Sequence, residues 1–220
     1  KPAGLIVTGI NQTAESRAVM ESMNCPIAQI MEIGPDPVDM MIGFSHYDAA
    51  FAVVSHLIEQ GFRRIGFLGA RMDPRVQRRF EGYRDAMKAA SLFDQRFIVT
   101  TPVPTSVTLG GTLFADLLAR APDIEAVSCV NDDLALGVLF ECQRRQISVP
   151  EDMAIVGFND LEFMAAAVPS LTSVRTNRYE MGRRDVTMVT EAIDGNRPPE
   201  PVIDLGFQLM IRQSSLPHGG

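Results

Sequence analysis

The chain has 220 residues, enough for one large α/β domain or two small lobes. Hydrophobic residues make up 46% of it and the net charge is −7; a sizeable core can be buried, while a nucleic-acid surface, which needs clustered Lys and Arg, is not carried by this acidic stretch. No apolar run is as long as a membrane span, no signal peptide opens the chain, and the three cysteines (Cys25, Cys129, Cys142) and three histidines (His46, His56, His218) have no metal-ligand spacing.

Apolar runs alternate with helical patterns from end to end. Strands are expected at 4–9 (GLIVTG), 27–31 (IAQIM), 39–44 (DMMIGF), 64–69 (RIGFLG), 97–102 (FIVTTP), 125–130 (EAVSCV), 153–158 (MAIVGF), 171–175 (LTSVR) and 203–211 (IDLGFQLMI). Helices are expected at 14–23, 46–60, 75–90, 108–120, 132–145 and 178–193. In the second of these, Ala50, Val53, Val54, Leu57 and Ile58 recur at helical spacing and Gly61 ends it. Asp73-Pro74 opens the next, with Pro in the first turn. Asp194-Gly195-Asn196 closes the last. The dense Pro and Gly of 32–38 (EIGPDPV) break the rhythm and read as a passage over the surface. An opening strand at the very start predicts that the natural N-terminus lies upstream of Lys1. Two of the cysteines sit in apolar runs, and the odd count reads as reduced thiols of a cytosolic protein.

Repeated β-α units give a parallel sheet covered on both faces, and ligands of such sheets bind at the carboxyl ends of the strands. The turn Gly66-Phe67-Leu68-Gly69 lacks the third glycine and the downstream acid of a dinucleotide site, and no phosphate-binding P-loop exists. The stretch 75–87 (RVQRRFEGYRDAM) places several arginines on one helix, at least one of which points back to the strand ends; a solvated face paired with Glu81 and Asp85 explains the same residues. At 129–137 (CVNDDLALG), Asn131 is either a helix N-cap or a contact to ligand hydroxyls. At 156–162 (VGFNDLE), Asn159-Asp160 repeats that arrangement at a second strand end, followed by a helix start. No nucleophile–base constellation is visible, so an enzyme is not expected, nor is a cofactor or metal.

Taken in order, HLIEQGFRRIGFLGAR, RRFEGYRDAMKAASL, AVSCVNDDLALGVLFECQRRQISVPEDMAIVGFND, PSLTSVRTNRYEMGRR and AIDG resemble the effector-binding core of the LacI/GalR family of bacterial transcription regulators. Within that family GARMDPR, CVNDDLALGVLFECQR, PEDMAIVGF and IDLGF look most like the gluconate-operon repressors. The resemblance implies an α/β, two-lobed fold like the periplasmic sugar-binding proteins, each lobe a parallel sheet flanked by helices. Three crossings are then expected near Phe44-Ser45, Ser173-Arg175 and Val202-Leu205. The N-terminal lobe would be 1–44 plus 175–202, and the C-terminal lobe 45–174 plus 203–220. The first lobe is expected to be incomplete here, and the helix-turn-helix head that reads operator DNA to be absent from this chain.

The effector, a small sugar or sugar acid such as gluconate, is implied to lie between the lobes. The positions that match the family's contacts are Arg79 (the clamping arginine), Asn131, Asn159, Thr105 and Arg178, with Met31, or Glu32 beside it, from the first lobe. Asn159 stands where the family usually has Asp, and Thr105 where an aromatic is common. An asparagine does not repel a carboxylate, so this change and two arginines favour an anionic ligand. The family also implies a cytoplasmic homodimer, whose second-lobe contacts map to Leu136, Phe140, Phe163, Met164 and Ala167. A soluble transport receptor of the same fold is the alternative.

Overall fold

The structure, a computed structural model, describes residues 2–216, so His218 lies outside the described residues. Two compact units divide the chain: the segment up to Ser45 with Thr176–Phe207, and His46–Arg175 with the chain from Gln208.

The first unit holds a four-stranded sheet in the order β1 (Leu5–Thr8), β2 (Ile27–Ile30), β3 (Met40–Gly43) and β9 (Val202–Asp204), with every neighbour parallel. The short helix α1 (Ala14–Glu21) links the first two strands and is capped by Thr13, whose side chain accepts from the Ser16 amide. The connection 32–38 is less superficial than its composition predicts. Glu32 is buried, the Val38 amide donates to the Gln29 side chain, and only Pro35 and Asp36 are exposed. Helix α7 (Arg178–Ile193) packs on β1, β2 and β3.

The second unit is built on a six-stranded sheet. Its order is β10 (Phe207–Met210), β8 (Thr172–Thr176), β7 (Ala154–Asn159), β6 (Ala126–Cys129), β4 (Ile65–Ala70) and β5 (Ile98–Thr101). The five strands β4 to β8 are all parallel. Every residue of β4 and β6 is buried, as central strands covered on both faces require. Connecting helices are α2 (His46–Glu59), α3 (Pro74–Ala89), α4 (Val107–Arg120), α5 (Asp132–Arg145) and the short α6 (Glu162–Ala166). β5 lies on one side of β4 and β6 on the other, so the order reverses there, and the carboxyl ends of β4 and β6 flank the switch point.

One expected strand is two. The run 203–211 is divided at Gly206, which sits at φ +62 and whose amide donates to Asp204 Oδ1 at 2.8 Å. That turn leaves β9 on β3 and sends β10 to β8, so the chain passes into the second unit after Phe207 rather than at 202–203. Burial pushes the thiols of Cys129 and Cys142 up, the latter to about 12, in keeping with unpaired cysteines inside the sheet and α5.

Asp185 is an oddity of the first unit. It is 1% exposed on the inner side of α7, and its Oδ1 has no hydrogen-bond partner among the described residues. The strands beneath, LIVT, IAQI and MMIG, carry no titratable side chain. Burial therefore pushes its carboxyl up to about 6. A raised carboxyl pKa means that the folded protein holds the proton more tightly than the unfolded chain, so stability falls as pH climbs from the ordinary value of 3.8 through about 6. Asp185→Asn should therefore raise the melting temperature at pH 7.5 and leave it almost unchanged at pH 4.5; an equal effect at both pH values would contradict the assignment.

Candidate functional site

Asp73 caps α3, accepting from the Val76 amide at 3.1 Å, and Pro74 occupies the first turn. The helix thus starts at a fixed point after β4 and carries Arg79 toward the strand ends. There the Arg79 guanidinium lies 3.7 Å over the centre of the Phe158 ring. Its Nη1 donates to the Val130 carbonyl, and its Nε donates to His46 Nδ1 at 3.2 Å. The His46 and Phe158 rings are 5.9 Å apart. A cation over an aromatic face contributes about 1 kcal/mol in a half-buried setting and also sets the plane of the fork.

Val130 directly precedes Asn131, and Phe158 directly precedes Asn159. One arginine therefore touches the residue next to each asparagine, at the carboxyl ends of the adjacent strands β6 and β7. Asn131 is an N-cap as well: its Oδ1 accepts from the Leu134 amide at 3.1 Å. The two roles expected as alternatives are compatible, because the cap uses only the oxygen and the amide nitrogen makes no hydrogen bond among the described residues.

Asn159 ends β7 at φ +115, and Asp160 follows at φ +52. Two successive non-glycine residues at positive φ carry backbone strain, which surrounding contacts must hold in place. They do so here. The Asp160 carboxylate, 4% exposed, receives Arg175 Nε at 2.7 Å. Arg212 Nη2 forms an ion pair with its other oxygen at 2.7 Å. The Asp160 amide donates to Ser173 Oγ at 3.1 Å. Ser173 in turn donates to Asp132 Oδ1 at 2.6 Å, and Asp132 Oδ2 accepts from the Leu161 amide at 2.7 Å. Asp132 is fully buried; its burial pushes the carboxyl up, against the pull of those two donors. The turn bearing Asn159 is thus braced from the start of α5, from β8 and from the chain after β10.

Thr105 lies on the loop after β5, at the same carboxyl edge of the sheet, and none of the described contacts joins it to the other three. Met31, at φ +80 after β2, and the exposed Arg178, first residue of α7, belong to the first unit. Of the expected dimer contacts, Phe140 is 41% exposed and Leu136, Phe163 and Ala167 are half-buried. Phe140, Gly111 and Arg144 line a groove of about 530 Å³ beside α4 and α5. Met164 is a correction: it has no exposed surface and packs where a side chain on Gly157 would stand, so it cannot meet a partner. His46, Phe158 and the Asp132–Asp160–Arg212 brace were not expected from the sequence. The aromatic before Asn159 was a visible cue; nothing near Arg212 indicated its partner.

Among the described residues there is no cluster of side chains that could hold a metal ion, and no helix is long and apolar enough to cross a membrane. An α/β core of the periplasmic-binding-protein class is what this fold defines, and residues 54–215 match the family model for the periplasmic binding protein-like domain. The chain is 39% identical over 215 residues to the HTH-type transcriptional regulator GntR of Pseudomonas aeruginosa, covering 98% of this chain and 63% of that protein. It is 34% identical over 207 residues to the HTH-type transcriptional regulator IdnR of Escherichia coli, covering 94% and 62%. The crystal structure of the transcription regulator GntR from Chromobacterium violaceum superposes with a TM-score of 0.94 at 40% identity, covering 97% of this chain and 79% of that one. The chain belongs to the LacI family of transcriptional regulators, as their periplasmic-binding-protein-like effector core. This is a family of regulators, not of enzymes, and the chain spans less than two thirds of the length of these two curated relatives. The matches lend nothing to the transport-receptor alternative.

Proposed function

We propose that this chain is the sensing core of a cytoplasmic repressor that binds a small sugar acid such as gluconate and couples its presence to operator binding by a DNA-binding head. The observation that carries this reading is Arg79, held flat on Phe158 with Asn131 and Asn159 next to its contacts. A guanidinium takes a carboxylate through two parallel N–H···O bonds, and the two amides suit hydroxyl groups. Asn159 is neutral, so it does not repel the acid as an aspartate would. The braced turn that presents it spares the ligand the ordering cost of a mobile loop. The relatives' regulator names and the matched fold support coupling to DNA. In our reading the active form is a homodimer that uses Phe140 and the face of α5 around it.

Two substitutions test this. Arg79→Ala should abolish calorimetric binding of gluconate while the circular-dichroism spectrum and melting temperature stay close to wild type; undiminished binding would contradict the site. Asn159→Asp should weaken gluconate relative to neutral glucose by about 1–3 kcal/mol if the contact is direct. Equal losses for both ligands would remove the preference for an acid.

A further inference from the structure

We infer that His46 is a positioning residue for Arg79: it fixes which edge of the guanidinium can meet the effector. The inference rests on the proposed role of Arg79 at the effector site and adds to it the device that sets the arginine's orientation.

An arginine on a helix has four rotatable side-chain bonds, and ordering them costs conformational entropy. At least three contacts remove that freedom before any ligand arrives. Phe158 fixes the plane, Val130 accepts from Nη1, and His46 Nδ1 accepts from Nε at 3.2 Å. The last contact has a chemical consequence. An N–H donor needs a bare acceptor, so Nδ1 carries no proton and the neutral ring holds its proton on Nε2. With Nε engaged by His46, a carboxylate can be gripped in two-fold fashion only by the terminal nitrogens and not by the Nε–Nη2 edge. His46 thereby dictates the direction from which an acid is met.

The pair is set by the backbone. Gly82 stands one turn beyond Arg79 on α3, and a Cβ there would fall 2.2 Å from the Tyr47 carbonyl oxygen and 3.1 Å from the Phe51 amide of α2. The two helices touch backbone to backbone at the residue following His46, which places the imidazole beside Arg79 whether or not a ligand is bound. His46 itself is 1% exposed, so water does not compete for its nitrogen. It is also the first residue of the second unit, where the chain enters from the first. The arginine is thus tied to the point of entry as well as to the sheet.

The test combines three variants with one ligand-free measurement. His46→Asn keeps an acceptor the same number of bonds from the backbone; His46→Leu keeps bulk and removes it. By isothermal calorimetry with D-gluconate, His46→Leu should lose about tenfold in affinity or more, as expected for one hydrogen bond to a charged group. His46→Asn should stay within about threefold of wild type. A merely structural histidine predicts the reverse: both variants melt lower and the folded fraction binds alike, which would overturn the inference. Arg79→Ala is the control that separates the claims. If it abolishes binding while His46→Leu does not, His46 has no positioning role and the site stands; if it binds normally, the site itself falls. Nitrogen-15 NMR of the ligand-free protein decides the contact without reference to any ligand. A bare Nδ1 on His46, coupled to Arg79 Nε, is the expected result, and a protonated Nδ1 would overturn the inference even if the effector is not gluconate.

Discussion

The plane of the Arg79 guanidinium, laid over the Phe158 ring, is the constraint on which the candidate site depends. A charged fork left free would sample many directions and bind an acid from any of them. Stacked on one ring and held along two edges, it presents a single face at the point where the strand order reverses. The asparagines matter because they follow, by one residue, the two groups that hold the arginine. Their placement is a consequence of the sheet: Val130 extends β6 and Phe158 lies near the end of β7, and the strands are adjacent and parallel.

Behind the site lies an ionic brace centred on the buried Asp160 carboxylate. Asn159 cannot keep its unusual backbone by itself. Asp160, immediately after it, is drawn inward by Arg175 and Arg212, while Asp132 and Ser173 hold the adjoining amides. Ion pairs on a buried carboxylate give little net stability, since its desolvation offsets the attraction. Their use here is geometric. They fix a strained turn at the rim of the sheet, and they join that rim to β8 and to the chain beyond β10, close to two of the places where the chain passes between units.

Much of this fold was legible in the sequence because it is made of local patterns. The helix begun at Asp73-Pro74 and the stop at Gly61 are written in a few residues, and both turned out as read: Asp73 caps its helix and Gly61 sits at φ +97. The strand-end asparagines were legible for the same reason, since each follows an apolar run and precedes a helix. Other features depend on partners distant in the chain. Arg212 looks like any charge in a tail until the sheet brings it to Asp160. Met164 was expected at a dimer surface from the family resemblance alone, yet the space above Gly157 takes it into the core. The run 203–211 has unbroken strand character, and only the left-handed turn at Gly206 assigns its halves to different sheets. His46 heads an ordinary amphipathic helix, and nothing in its neighbours announces that its ring faces an arginine on the next one.

The central claim is that a small acid is gripped by Arg79 with Asn131 and Asn159 beside it. A crystal structure of the protein grown with D-gluconate tests it most directly. The account predicts a carboxylate on the terminal nitrogens of Arg79, still stacked on Phe158, with ligand hydroxyls within hydrogen-bond distance of both asparagines. A ligand seated elsewhere in the protein, with Arg79 contacting protein groups alone, would contradict it.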